Sequence, residues 1–385
     1  MAIQIKTKGS SASPPNTRWR SVVVSTLLVL VVLGSLYSQT LILDEDPYRY
    51  VRASQKLHTN QAIFDPANGR DRPLILFAYA ESENARDNLK FFLKRGLHAA
   101  ADFIFIFNGE TDASDLVPTS LANVKVVKRE NTCYDIGAFG QVLAKDALWQ
   151  RYKRFITLNA SVRGPFLPVW SDECWSDAFF NKLSDKVKLV GLTYHCVPNP
   201  HVQSMLLATD RVGMEILLDP LYAGSVPLDT PPWGGAEIPV GYSVCYNNYA
   251  EAVGQLGLFI PRLREQVQCH LAAVSNNEAC SKKHWTNVLF QVHGEIGMAR
   301  LIRSQGYDVD VMLTSVHSYT PAEYCDKLGP LSDHLSPNNY FGSNVHPYEV
   351  IFAKANRGID DELLGHLTDW HYQMNDTSWE KCGGR

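Results

Sequence analysis

From Pro73 onward the chain alternates between short unbroken apolar runs and longer stretches with helical spacing. Pro73-Leu74-Ile75-Leu76-Phe77-Ala78-Tyr79-Ala80 predicts a strand buried on both faces. Ser82 stands where an N-cap is needed, and Glu83 to Leu97 follows with Leu89, Phe92 and Leu93 at helical spacing and Gly96 near its end. Asp102 to Phe107 predicts a second buried strand stopped by Asn108-Gly109, and Val124 to Val127 a third. Ile136 to Trp149 predicts a helix, and Arg154 to Leu158 a fourth strand. This succession predicts an α/β domain with a mostly parallel sheet flanked by helices. Val187 to Leu192 and His201 to Ala208 continue it as strands, and Asp210 is placed to cap a helix running to Leu218. Residues 219–283 are Pro-, Gly- and Cys-rich and irregular; a helix over Glu295 to Ser304 and an alternating run over Tyr307 to Met312 come after them.

The N-terminal pattern is of another kind. Ser21 to Leu43 carries no charge, and at about 1.5 Å per residue a helix of that length crosses a hydrocarbon core of roughly 30 Å. Lys6, Lys8, Arg18 and Arg20 precede it and Asp44, Glu45 and Asp46 follow it, which orients the N-terminus to the cytosol. The run is longer than the apolar core of a cleaved signal peptide, about 7–15 residues, and lacks a small-residue cleavage site. The expected organisation is a cytosolic tail over 1–20, one transmembrane signal-anchor over 21–43, a polar stem over 44–70 and a luminal domain over 71–385. A single-pass type II protein of this build belongs in the Golgi or the ER.

Composition narrows the function classes. A hydrophobic fraction of 45 % with 20 % charged residues is that of a globular domain, so disorder is not expected. A net charge of −4, with no basic cluster in the luminal part, excludes a nucleic-acid footprint. All eight cysteines follow the apolar run and none forms a CxxC pair, which argues against a zinc ribbon or a thioredoxin-type site. Their even number suits disulfides in an oxidising lumen, with buried free thiols the equal alternative. Of the sequons, Asn131-Thr132-Cys133 is a weak type, Asn159-Ala160-Ser161 ends an apolar strand, and Asn375-Asp376-Thr377 is the best candidate for glycosylation.

Fingerprints for dinucleotides, NTP phosphates, zinc proteases and lipases are absent. What remains are polar residues at the ends of predicted strands, where ligands bind in open α/β sheets. Ala80, Glu81 and Ser82 follow the first strand, with helix capping as the competing role. Asp135 opens a helix beside Gly137 and Ala138, small residues that let a sugar or nucleotide approach the backbone; simple capping competes here too. Asn159, Ser161 and Arg163 follow the fourth strand, with Arg163 next to a Gly-Pro turn and suited to phosphate.

Strand, helix, strand, then Asn131-x-x-x-Asp135-x-Gly137-Ala138 opening a helix, then a strand ending in a polar triplet, resembles the nucleotide-sugar half of a GT-A glycosyltransferase, a Rossmann-like fold. More narrowly, Asn131 to Ala138, Asn159 to Phe166 and His346-Pro347-Tyr348-Glu349 are similar to segments of the rhamnan synthesis protein F family and its eukaryotic membrane-anchored relatives. The resemblance covers roughly residues 73 to 315. It implies that Asp135 contacts the nucleotide-sugar donor and that Asn159-Ala160-Ser161 occupies the place of a metal-binding DxD motif. Neither Asn159 nor Ser161 is a carboxylate, although Mg²⁺ and Mn²⁺ prefer carboxylate oxygens, so the resemblance leaves metal dependence open. It implies an acidic base for the acceptor hydroxyl at the start of a late helix, which Glu295 matches, with Glu237 as its rival. It also implies a C-terminal histidine ligand for metal or phosphate, for which His346 is available.

The expected activity is therefore transfer of a sugar from a nucleotide donor to a glycan hydroxyl. A non-catalytic luminal lectin or adaptor on the same scaffold is the alternative that the missing carboxylates favour. A membrane-anchored hydrolase is disfavoured, because no triad or closely paired carboxylates stand out.

Overall fold

The computed structural model describes residues 71–131, 134–197, 200–218, 295–319, 321–328, 333–375 and 377–382. The expected anchor over 21–43, the stem over 44–70, the irregular stretch 219–283 and Glu237 lie outside the described residues. Among the described residues no helix is long and apolar enough to cross a membrane.

The strands are β1 (Leu74–Ala80), β2 (Asp102–Asn108), β3 (Val124–Arg129), β4 (Arg154–Asn159), β5 (Val162–Arg163), β6 (Val187–Gly191), β7 (Tyr194–His195), β8 (His201–Val202), β9 (Leu206–Asp210), β10 (Asp308–Val311) and β11 (Ala353–Lys354). Seven of them form the central sheet in the order β10-β6-β9-β4-β1-β2-β3, while β5 pairs with β11 and β7 with β8. All main-sheet pairs are parallel except those of β9, which runs against both β4 and β6. The mostly parallel sheet expected from the unbroken apolar runs is present. It departs from a simple doubly wound sheet by that one reversed strand.

Helices α1 (Glu83–Arg95), α2 (Tyr134–Ala144), α3 (Trp175–Phe180), α4 (Arg211–Leu218), α5 (Gly297–Ser304), α6 (Pro321–Leu328), α7 (Pro347–Val350), α8 (Asp361–Gln373) and α9 (Ser378–Lys381) accompany the sheet. Ser82 caps α1 by accepting from the Ala85 amide at 3.1 Å, and Asp210 accepts from the Gly213 amide at 2.9 Å to start α4. Leu74 to Tyr79 and Phe103 to Phe107 are buried without a break. Their rings meet those of α1 and α3: Phe77 lies 5.0 Å from Phe92, which lies 5.9 Å from Trp175. The Trp175 indole donates to the Gly96 carbonyl at 2.9 Å, so its polar edge is satisfied inside the core. Gly96 is required there, because a Cβ would stand 2.6 Å from the Phe92 ring.

A second apolar cluster fixes the C-terminal segment. Phe91 of α1, Phe166, Ala355, and Leu364 and Leu367 of α8 pack together. Disulfides join Cys174 to Cys382 and Cys196 to Cys325, across 208 and 129 residues of chain. Cys133, Cys245, Cys269 and Cys280 lie outside the described residues. The described residues fall within one compact unit, Tyr50–Arg385.

Two elements differ from the periodicity. The helix expected over 136–149 stops at Ala144; Asp146 and Ala147 both adopt φ 51°, and a 3₁₀ turn beyond them buries Leu148 and Trp149. The run expected as one strand over His201–Ala208 is split by a turn at 203–205, its first part pairing with β7 and its second entering the main sheet as β9. That turn contains neither Gly nor Pro, so nothing in the pattern marks it.

Candidate active site

The chain leaves β1 toward β2 and β3, then crosses back to β4 on the other side of β1. The carboxyl ends of β1 and β4 therefore flank a topological switch point, the place where open α/β sheets bind ligands. Ala78 pairs with Asn159 and Ala80 with Asn108, so these residues share one edge of the sheet.

At this edge the backbone turns sharply. The Ala160 amide donates to the Ala78 carbonyl at 2.9 Å and the Asn159 amide to the Met205 carbonyl at 3.1 Å. Asn159 is thus gripped by strands on both sides, and its side chain organises the turn. Its Oδ1 accepts from the Ser161 amide at 3.1 Å and from the Ser161 hydroxyl, while its Nδ2 donates to Asp135 Oδ2. Asp135 Oδ1 accepts from the Ile136 amide at 2.9 Å. Tyr134, at φ 52°, sets the entry into α2 that aims this carboxylate across the sheet edge. Asp135 is therefore both an end group of α2 and a cross-strand ligand of Asn159. Gly137 is buried in the same first turn.

Because β9 is reversed, its start lies at the carboxyl edge of its neighbours. The turn before it carries the Ser204 amide, which donates to Glu295 Oε1 at 2.8 Å. Glu295 sits in a π-type turn that opens α5. Its Oε2 has no hydrogen-bond partner among the described residues. The Asp135 carboxyl is pushed well above the usual carboxylate range, mainly by burial. The negative charge of Glu295 adds to the shift, while the Asn159 bond, the Ile136 amide and the charge of Lys354 oppose it.

Lys354 completes the group and was not anticipated from sequence. Its Nζ donates to Ser161 Oγ at 2.7 Å. It is carried by β11, where it pairs with Val162, and the Ala355 amide donates to the Ser161 carbonyl at 2.9 Å. Burial, then the nearby Arg357, lowers its pKa; Asp135, Glu295 and Asp333 oppose that shift. Two features of the backbone fit β11 here. A Cβ on Gly164 would lie 2.5 Å from the Phe352 ring, and Ile351 is held at φ 68°, an unusual state for a β-branched residue. The available signal was a lone lysine directly after the apolar run Val350-Ile351-Phe352-Ala353.

The site as a whole is a chain of hydrogen bonds from Asp135 through Asn159 and Ser161 to Lys354, with Glu295 near enough for its charge to act on Asp135. Other expected residues lie apart from it. Glu81, just beyond Ala80, bonds to Arg86 at 2.8 and 3.0 Å, to the Tyr79 hydroxyl at 2.9 Å and to Thr111. Arg86 above all, with Thr111, holds its carboxyl down at about 2. Arg163 points to the other side of β5. Its guanidinium donates to Asn88 Oδ1 at 2.8 Å and to Thr368 at 3.4 Å, so it ties α1 to α8 rather than joining the Asn159-Ala160-Ser161 turn. His346 caps α7, its Nδ1 accepting from the Tyr348 amide at 3.1 Å. Asn375 is exposed, whereas Asn159 is engaged in the site.

The donor set does not fit the divalent cation that a DxD motif would hold. The Asn159 carbonyl oxygen already accepts two bonds, and an ammonium occupies the Ser161 hydroxyl. A cation there would meet Lys354 with a repulsion of about 4 kcal/mol per unit charge at 4 Å and an effective dielectric of about 20. Among the described residues, one group of three side chains has metal-ligand spacing: His98, Cys174 and Cys382, with ligand atoms within 4.8 Å of one another. Its two sulfurs are bonded to each other, and burial pushes His98 down to about 3, leaving a neutral ring in the core.

No protein-family model matches the chain, and no curated protein does so either.

Proposed function

We propose that the chain is a glycosyltransferase with a GT-A-like domain resembling the rhamnan synthesis protein F family. It would move a sugar from a nucleotide-sugar donor to a hydroxyl of a glycan or glycoconjugate in the lumen of the Golgi or ER. The observation that carries this reading is the convergence of Asp135, Asn159 and Glu295, from three distant parts of the sequence, at the switch point of a mostly parallel sheet. Asp135 is the group for donor hydroxyls, and the Asn159-Ala160-Ser161 turn faces the diphosphate. Glu295, held by the Ser204 amide through one oxygen, offers the other to the acceptor. It takes the acceptor's proton as the acceptor oxygen bonds to the anomeric carbon; the bond from that carbon to the phosphate oxygen breaks, and nucleoside diphosphate leaves.

Nucleotide binding tests the reading. The full-length chain should melt at higher temperature with one of a panel of nucleoside diphosphates and their sugars, by several degrees at ligand well above Kd. A chain that no nucleotide stabilises, yet that binds a glycan array, is the lectin or adaptor instead.

The luminal assignment has separate support. Two disulfides spanning long stretches of chain suit an oxidising compartment, and Asn375 is accessible. In sealed microsomes, residues 71–385 should resist added protease and Asn375 should carry an endoglycosidase-sensitive glycan. Digestion of that region would reverse the orientation.

A further inference from the structure

The turn that is unfit for a divalent cation receives an ammonium group through its Ser161 hydroxyl. We infer that Lys354 is the built-in cation of the site, holding the diphosphate of a nucleoside diphosphate in the place that a metal ion would otherwise take. The inference rests on the glycosyltransferase reading and names the charge chemistry of that same site.

The geometry supplies the argument. Lys354 reaches the polar turn from the opposite strand of a two-residue ladder, where a β-pair fixes its backbone and Ser161 fixes its head group. A lysine placed only for solubility would extend into water. This one is half-buried, with Phe352 and Ala355 next to it in the core. Its head group has no carboxylate in hydrogen-bond contact among the described residues; Asp135 and Glu295 act on it through space, and Asp333 is bonded to Arg357 at 2.5 Å. Hydrogen-bonded only to a hydroxyl among the described residues, this half-buried ammonium retains donors for an anion, and phosphate oxygens are the strong acceptors. Among the described residues the other cations near the edge are already committed: Arg86 to Glu81 and Asp112, Arg129 to Asn108 and Gln141, Arg163 to Asn88, and Arg357 to Asp333. Asn159 and Ser161 then have a reason to be neutral. A carboxylate at either place would pair with Lys354 and remove the charge that the diphosphate needs.

The test compares full-length wild type, Lys354→Met and Lys354→Arg in excess EDTA, with UDP, GDP and dTDP as probes in thermal-shift and equilibrium binding measurements. A nucleoside diphosphate should stabilise wild type without metal. Lys354→Met should bind it about tenfold more weakly, with an unliganded melting temperature close to wild type, and Lys354→Arg should keep most of the affinity. Added Mn²⁺ should leave wild-type affinity unchanged. If wild type binds only when Mn²⁺ or Mg²⁺ is present, the inference is overturned while the glycosyltransferase reading stands. Equal affinity of Lys354→Met and wild type in EDTA overturns it as well. Should the methionine variant fail to fold, the metal dependence of wild type and the affinity of Lys354→Arg decide the question. If no nucleotide binds under either condition, the functional reading falls and the inference falls with it.

Discussion

Glu295→Gln should lower turnover by roughly 10²–10⁴-fold and leave nucleotide affinity nearly unchanged. The substitution keeps the shape of the side chain and the bond that positions it, because a glutamine oxygen still accepts from the Ser204 amide now 2.8 Å away. What it removes is the second oxygen's capacity to take a proton. The loss should therefore appear in kcat and kcat/KM together, the pattern of an interaction made only in the transition state. One consequence is specific to the geometry. Because the charge of Glu295 is among the causes that raise the Asp135 pKa, Glu295→Gln should move the Asp135 titration downward. A fully active Glu295→Gln paired with an inactive Glu237→Gln would transfer the role to Glu237. Activity in both variants would sink the assignment of a carboxylate base.

The parts of this molecule that could be read from sequence are those with local signals. Unbroken runs such as Leu74 to Tyr79 state that both faces of a strand are covered, and Ser82 and Asp210 act as caps where expected. Asn159 stands out because a polar residue at the end of a buried strand has few places to go, and Asp135 because it opens a helix beside Gly137. The structure adds that they bond to each other, a contact across 24 residues that no pattern encodes. Arg163 shows the limit of the same logic: alternation in a strand fixes that a side chain lies on one face, not which face looks into the site. The reversal of β9 was invisible, since a strand buried on both faces carries no direction in its sequence. Lys354 was hidden for a similar reason, because it reaches the site through pairing of two-residue strands separated by 190 residues of chain.

Asp135→Asn should weaken nucleotide affinity by roughly 10–100-fold while the protein keeps its fold. On the proposed reading the ionised carboxylate accepts from a donor hydroxyl, and an amide replaces that charge-assisted bond with a neutral one. The stability side of the experiment separates this role from helix capping. Folding raises the Asp135 pKa above its unfolded value of about 3.9, chiefly through burial and then through Glu295. The folded state accordingly binds this proton more tightly than the unfolded state does. Its ionisation is a destabilising event, absent below about pH 4 and complete once the pH passes the raised folded value. Asparagine carries no such burden. The melting temperature of Asp135→Asn, measured relative to wild type, should therefore climb as pH rises through that window and stay high at neutral pH. Donor affinity should be lower throughout the range where wild type binds. An unliganded variant that instead loses about 1 kcal/mol at neutral pH, the usual effect of deleting a helix cap, would make Asp135 a structural end group of α2. In that case the donor site would have to be sought elsewhere along the sheet edge.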